Sequence, residues 1–210
     1  MAALMWISHA ERPLSADELC HALAVELDSA DFNGDNAPSM STLIACCQGL
    51  ITVDKEGSTV RLIHFTLQEY LSLRHDIFGK PHSTMAEICL TYMNSQQVKA
   101  ISAHPYPETR VSGFLKYCSL YWGAHARREL SNCTMSLALA LFREYDNHIS
   151  MKLLMMKHMS WRFQMFVYCF IHFRFSGLEC ASFFGIGALV AALIMIGRYD
   201  INEGDRKSVV

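Results

Sequence analysis

Gly49-Leu-Ile-Thr-Val-Asp-Lys-Glu-Gly57-Ser-Thr-Val-Arg-Leu-Ile63-His-Phe-Thr-Leu-Gln-Glu69-Tyr-Leu71 decides how the first part of this chain is read. Leu50–Val53 and Thr59–Ile63 are β-branched runs on either side of Asp54-Lys-Glu-Gly57, the signature of a β-hairpin. Thr66-Leu-Gln-Glu69 then has the spacing of a capping box, with Thr66 as cap, and predicts a helix running to about Arg74. Upstream, the residues are helical. Ala2–Ala10 reads as a short helix closed by Glu11-Arg12-Pro13. Ser15-Ala-Asp-Glu18 is a second capping box, opening a helix to about Glu26 with Leu19, Ala22, Leu23 and Leu27 on one face. Asp28–Pro38 is a polar loop, Ser39 caps a third helix over Met40–Gln48, and Gly49 supplies the stop.

Three helices, a hairpin and a closing helix are the order of a winged helix, predicted over residues 1–78. Residues 79–160 predict a helical linker region. Ser83 caps Met85–Met93, Val111–Arg127 carries Phe114, Leu115, Cys118, Tyr121 and Trp122, Met135–Tyr145 repeats an Ala/Leu face, and Ile149–Met159 is rich in methionine. Ala103–Glu108 is a loop. Methionines at this spacing, Met151, Met155, Met156 and Met159, read as adaptable core packing rather than a metal site. The expected fold class is mainly α with a small β-hairpin.

Composition narrows the function. The 210 residues are 51% hydrophobic and 18% charged, with a formal net charge of −2. Disorder is excluded, and nothing in the overall charge attracts the chain to nucleic acid or anionic lipid. The third helix, which would be the recognition helix of a DNA-binding winged helix, has no Lys or Arg, and Arg12 is the one basic residue in the first fifty. Phosphate contacts supply most non-specific affinity, so no nucleic-acid partner is expected.

Eight cysteines form no CxxC pair, and ten histidines form neither HExxH nor a Cys/His cluster with zinc spacing, so no metal is expected. The adjacent Cys46 and Cys47 suit a buried helix, and the reading is a reducing, cytoplasmic compartment. GxxxxGK[ST], GxGxxG and GxSxG are absent. Asp17 and Glu18 read as helix-dipole compensation, Asp28 and Asp31 as turn residues, and Cys20-His21 point apart on a helix. No enzymatic activity and no cofactor are expected.

Leu62-Ile-His-Phe-Thr-Leu-Gln-Glu-Tyr-Leu71 resembles the segment that closes the winged-helix domain of NACHT-type STAND ATPases, the NLR-like proteins. Ala2–Leu19 resembles the start of that domain in NACHT–ankyrin proteins. There it is called the GPI inositol-deacylase-like winged helix, a name that does not imply deacylase activity. Phe114–His125 resembles the helical linker that follows. The resemblance implies that His64 contacts the phosphates of ADP when a NACHT core is present; its ordinary role would be a hydrogen bond near a helix N-terminus. It also implies a regulatory, protein-interaction function in signalling, with an ATPase core or further repeats as partners.

Ser176–Ile186, then Leu189-Val190, Leu193-Ile194, Gly197 and Asp200-Ile-Asn202, resemble one degenerate ankyrin repeat over 175–205. Gly177 stands where that pattern has Pro, and Glu179 and Ile186 where it has His. One repeat cannot bury its own faces, so the chain reads as a fragment of a larger protein. Ala181–Gly197 is also seventeen residues without a charge, behind an aromatic, basic stretch over Trp161–Phe175. The alternative is therefore a single-span membrane protein with a cytosolic helical domain.

Overall fold

The computed structural model describes residues 1–27, 29, 31–54, 58–101, 111–158 and 175–197. Over these the chain is mainly helical with one small antiparallel sheet. The hairpin tip at 55–57, the expected loop Ala103–Glu108, the aromatic run over 161–174 and the end of the repeat at Asp200–Asn202 lie outside them.

The first part of the chain forms α1 (Ala2–His9), β1 (Leu14–Ser15), α2 (Ala16–Ala24), a 3-10 turn over Gly34–Asn36, α3 (Met40–Cys46), β2 (Ile51–Val53), β3 (Thr59–Leu62) and α4 (Phe65–Leu73). At α2 the capping box is complete: Ser15 Oγ accepts the Glu18 N–H at 3.2 Å, and Glu18 Oε2 accepts the Ser15 N–H at 2.9 Å. Ser39 caps α3 as expected. The helix ends slightly early because Gln48 (φ 50°) and Gly49 (φ 78°) both adopt left-handed backbone and turn the chain into β2.

The sheet has three strands, in the order β1-β3-β2. Ile51 faces Leu62 and Val53 faces Val60 across the hairpin, while Leu14 and Ser15 face Val60 and Thr59 from the other side. The sequence reading misses β1, since two residues cannot display an alternation. Pairing sets the strand: β3 would otherwise present an open edge, and the two residues after Pro13 lie against it.

Beyond the sheet come α5 (His75–Phe78), α6 (Pro81–Asn94), α7 (Gln96–Lys99), α8 (Gly113–Arg128), α9 (Asn132–Leu141), a 3-10 turn over Phe142–Asn147, and α10 (Ile149–His158). Two expected helix starts are corrected. Pro81 occupies the first turn of α6, where its missing N–H costs nothing, so Ser83 lies inside the helix and gives its N–H to Glu129 Oε2 at 3.0 Å. The helix expected over Met135–Tyr145 starts instead at Asn132 behind the Ser131 cap and tightens into the 3-10 turn after Leu141.

A single core runs through all of this. Trp6 on α1 is fully buried and meets Phe114 and Tyr117 of α8 edge-on, with centroids 5.9 and 5.8 Å away. Leu14, Ile51 and Val60 cover the inner face of the sheet, and Met85, Leu90 and Met93 of α6 fill the centre. Of the adjacent thiols, Cys47 is buried and Cys46 exposed, as neighbours on a helix that packs on one side must be.

Residues 177–195 form two short helices, α11 (Gly177–Phe184) and α12 (Gly187–Met195). Gly185 ends the first at φ 69°, a left-handed turn natural to glycine. Ala181–Gly197 is therefore not one continuous helix, and among the described residues no helix is long and apolar enough to cross a membrane. Phe184 reaches Trp122 with centroids 5.3 Å apart. It lies so close over Gly123 that a Cβ there would stand 2.1 Å from its Cγ. At Gly177 a Cβ would stand 2.5 Å from Cβ and Cγ of Phe142. A side chain at position 177 would therefore collide with Phe142.

Candidate functional site

His64, the one residue marked by the sequence as a site, is the N-cap of α4. Its Nδ1 accepts the Thr66 N–H at 3.2 Å and lies 2.9 Å from Thr66 Oγ1. The cap expected at Thr66 is thus displaced by two residues, because an imidazole nitrogen can accept in place of a hydroxyl oxygen. The same device recurs at α10. His148 Nδ1 accepts the Ser150 N–H at 3.2 Å and meets its Oγ at 2.6 Å, while Nε2–H donates to Met93 O at 3.0 Å. The shared signal is His-x-Ser/Thr. The surroundings differ: His148 is buried, and burial pushes its pKa down to about 4, whereas His64 is exposed.

A second group of polar residues has no local sequence signal. Glu11 after α1, His82 in the first turn of α6 and His125 near the end of α8 place three possible ligand atoms within 4.8 Å of one another. His82 Nδ1 and His125 Nδ1 are 2.8 Å apart, and the rings stack with centroids at 5.1 Å. Tyr117 Oη accepts the Glu11 N–H at 3.1 Å and lies 2.8 Å from His125 Nε2. One proton arrangement satisfies these contacts. The Tyr117 hydroxyl donates to His125 Nε2, and His125 Nδ1–H donates to His82 Nδ1. Arg128 forms a two-pronged ion pair with the Glu11 carboxylate.

Burial, with His82 and Arg128 nearby, pushes the pKa of His125 down to about 3. Burial also lowers that of His82, with Arg128 and His9 acting in the same direction. Both rings are therefore neutral at pH 7. Tyr117 is held well above the usual phenol range, chiefly by burial.

Arg12 adjoins this group. Its two terminal nitrogens donate to Glu18 Oε2 and Oε1, both at 2.7 Å, and its guanidinium lies over the Tyr117 ring at 5.3 Å. Burial alone would raise the Glu18 carboxyl; the Arg12 and Ser15 hydrogen bonds outweigh it and bring the pKa below the ordinary value. The expected dipole compensation at Glu18 is thus joined by a fork-to-fork ion pair that sequence spacing did not indicate.

The helix order and the three-stranded sheet define a winged helix at the start of the chain. Residues 1–89 match the family model described as GPI inositol-deacylase, winged helix domain. The match runs past residue 78 into α6, whose packing on α1 and α8 closes the domain's inner side. No curated protein and no solved structure matches the chain.

Proposed function

We propose that the chain is a non-enzymatic regulatory and protein-interaction fragment of a NACHT–ankyrin signalling protein, acting in the cytoplasm. The observation that carries this reading is the apolar outer surface of α4. Phe65, Tyr70 and Leu73 are 67%, 50% and 77% exposed, and Ile63 just before the helix is 55% exposed. Large apolar groups gathered in and beside one short helix mark a surface that pairs with protein. On α3, by contrast, Lys and Arg are absent, which favours a protein partner over nucleic acid.

The α11–α12 pair supports the repeat reading. It has a capping box at Ser176–Glu179 and a left-handed glycine between short helices. Phe183, Ile194, Met195 and Ile196 are exposed on it, as on a repeat that stacks against a neighbour. The free cysteines among the described residues fit a reducing compartment. In this reading His64 senses nucleotide phosphate when a NACHT core is present; its exposed ring beside the apolar helix that would meet such a core supports this.

Titrating the chain into an ADP-loaded NACHT-type core that lacks its own winged helix tests this reading. Calorimetry is expected to show saturable binding, weakened at least tenfold by Leu73→Glu, and His64→Ala is expected to speed ADP release from the complex. Absence of binding, or equal binding by the Leu73→Glu chain, refutes the interaction. Unchanged ADP release refutes the role of His64.

A further inference from the structure

We infer that Glu11, His82 and His125 form a binding site for a divalent transition-metal ion, with zinc the best match to the donor set. Two imidazole nitrogens and one carboxylate oxygen are the ligands of many zinc centres with an open fourth position, at about 2.0–2.2 Å per bond. Here the three come from separate parts of the chain and already lie within 4.8 Å of one another.

The geometry needs little change. His82 Nδ1 and His125 Nδ1 face each other at 2.8 Å across a single proton. A tetrahedral ion with bonds of about 2.05 Å holds its nitrogens roughly 3.3 Å apart, so the rings separate by about half an ångström. His82, half-buried in the first turn of α6, is free enough to make that shift; His125 is fully buried and stays in place. Glu11 Oε1 lies 3.9 Å from His125 Nδ1. With two oxygens, the carboxylate can keep Arg128 on one and turn the other to the ion.

Binding leaves the His125 proton on Nε2, where Tyr117 Oη at 2.8 Å accepts it; the tyrosine hydroxyl gives up His125 as its own acceptor. A metal-bound imidazole held through its far nitrogen by an oxygen is the usual outer-sphere arrangement, and it fixes ring orientation. The half-buried Glu11 and the exposed Arg128 lie at the solvent edge of the group and give an ion a route in.

The test uses the full chain after chelator treatment. Zinc titrated by calorimetry is expected to bind saturably at one ion per chain. Cobalt(II) is expected to give the visible absorption of a tetrahedral nitrogen–oxygen site. His82→Ala should abolish the cobalt band, and Glu11→Gln should weaken zinc at least tenfold. Both positions are incompletely buried, and the circular dichroism of each variant verifies that it folds. No saturable zinc binding by the folded wild-type chain overturns the assignment. So does unchanged binding in either variant, or a cobalt spectrum with the near-ultraviolet bands of thiolate ligation.

Discussion

Adding one methyl group at Gly123 gives a sharp test of how α11 is held. Gly123 lies within α8, and a Cβ there would stand 2.1, 2.3 and 2.5 Å from Cγ, Cδ2 and Cδ1 of Phe184. Ordinary carbon contact needs about 3.5 Å, so the ring or the whole of α11 must retreat by more than 1 Å. The contacted atoms are the root of the ring, and Phe184 is also packed on Trp122 and nearly buried, so it cannot swing aside cheaply. Overpacking of this kind costs about 1–3 kcal/mol or more. Replacing glycine by alanine inside a helix returns roughly 1 kcal/mol.

Contacts of 2.1–2.5 Å put the cost at the upper end of that range, about 2–3 kcal/mol, so Gly123→Ala is expected to destabilise the chain by about 1–2 kcal/mol. In a Phe184→Ala background the obstacle is gone and only the helix preference remains, so the same substitution should stabilise by up to about 1 kcal/mol. Urea unfolding of the four proteins, followed by circular dichroism with the slope held common, measures the cycle. Gly123→Ala that is neutral or stabilising in the wild-type chain would refute the reasoning. So would a sign that fails to reverse without Phe184.

Other expectations follow from the same contacts. His148 is neutral in the fold, with its pKa lowered to about 4 mainly by burial and by Lys99, against the raising effects of Met93 O and Glu144. An unfolded histidine titrates near 6.5, so the unfolded chain takes up this proton first as pH falls. Stability should drop by about 2 kcal/mol between pH 7 and pH 4.5 from this group, and His148→Gln, which retains a donor for Met93 O and an acceptor for Ser150, should remove that share; an equal pH loss in both proteins would contradict it. Gly177→Pro should lower the melting temperature despite proline's fitness for a helix start, because Phe142 fills the space; a higher melting temperature would show the contact to be absent. A brief pulse of iodoacetamide should label Cys46 and Cys133, which are exposed. It should spare Cys89, Cys118 and Cys180: all three are buried, and burial pushes the Cys180 thiol up to about 12. Mass spectrometry of the peptides reads the outcome.

The parts legible in the sequence were those whose physics is local. The Ser15–Glu18 and Ser39 caps, the hairpin periodicity and the apolar faces around Trp122 each act within a few residues, and each was found where the pattern placed it. β1 was not legible because its pairing partner is more than forty residues away and its length is two. Thr66 looked like a cap because hydroxyls usually are; the hydrogen bond expected of His64 near a helix N-terminus is the cap itself, and the His-x-Ser/Thr pattern it shares with His148 was the overlooked signal. Of the candidate site residues, His64 was named in advance. Glu11, His82 and His125 meet only through the docking of α1 on α6 and α8, and His82 and His125 are 43 residues apart, so no local spacing rule could join them.

The edge-on contact of Trp6 with Phe114 and Tyr117 also limits how such a chain can be rearranged over generations. A recombination breakpoint after residue 78 would separate the indole from the two rings that enclose it and leave each product with an uncovered aromatic interior. Inheritance of the winged helix should then be tied to that of the helices behind it. Exchange between lineages is expected to move the two as one cassette, with viable joints confined to positions beyond α8.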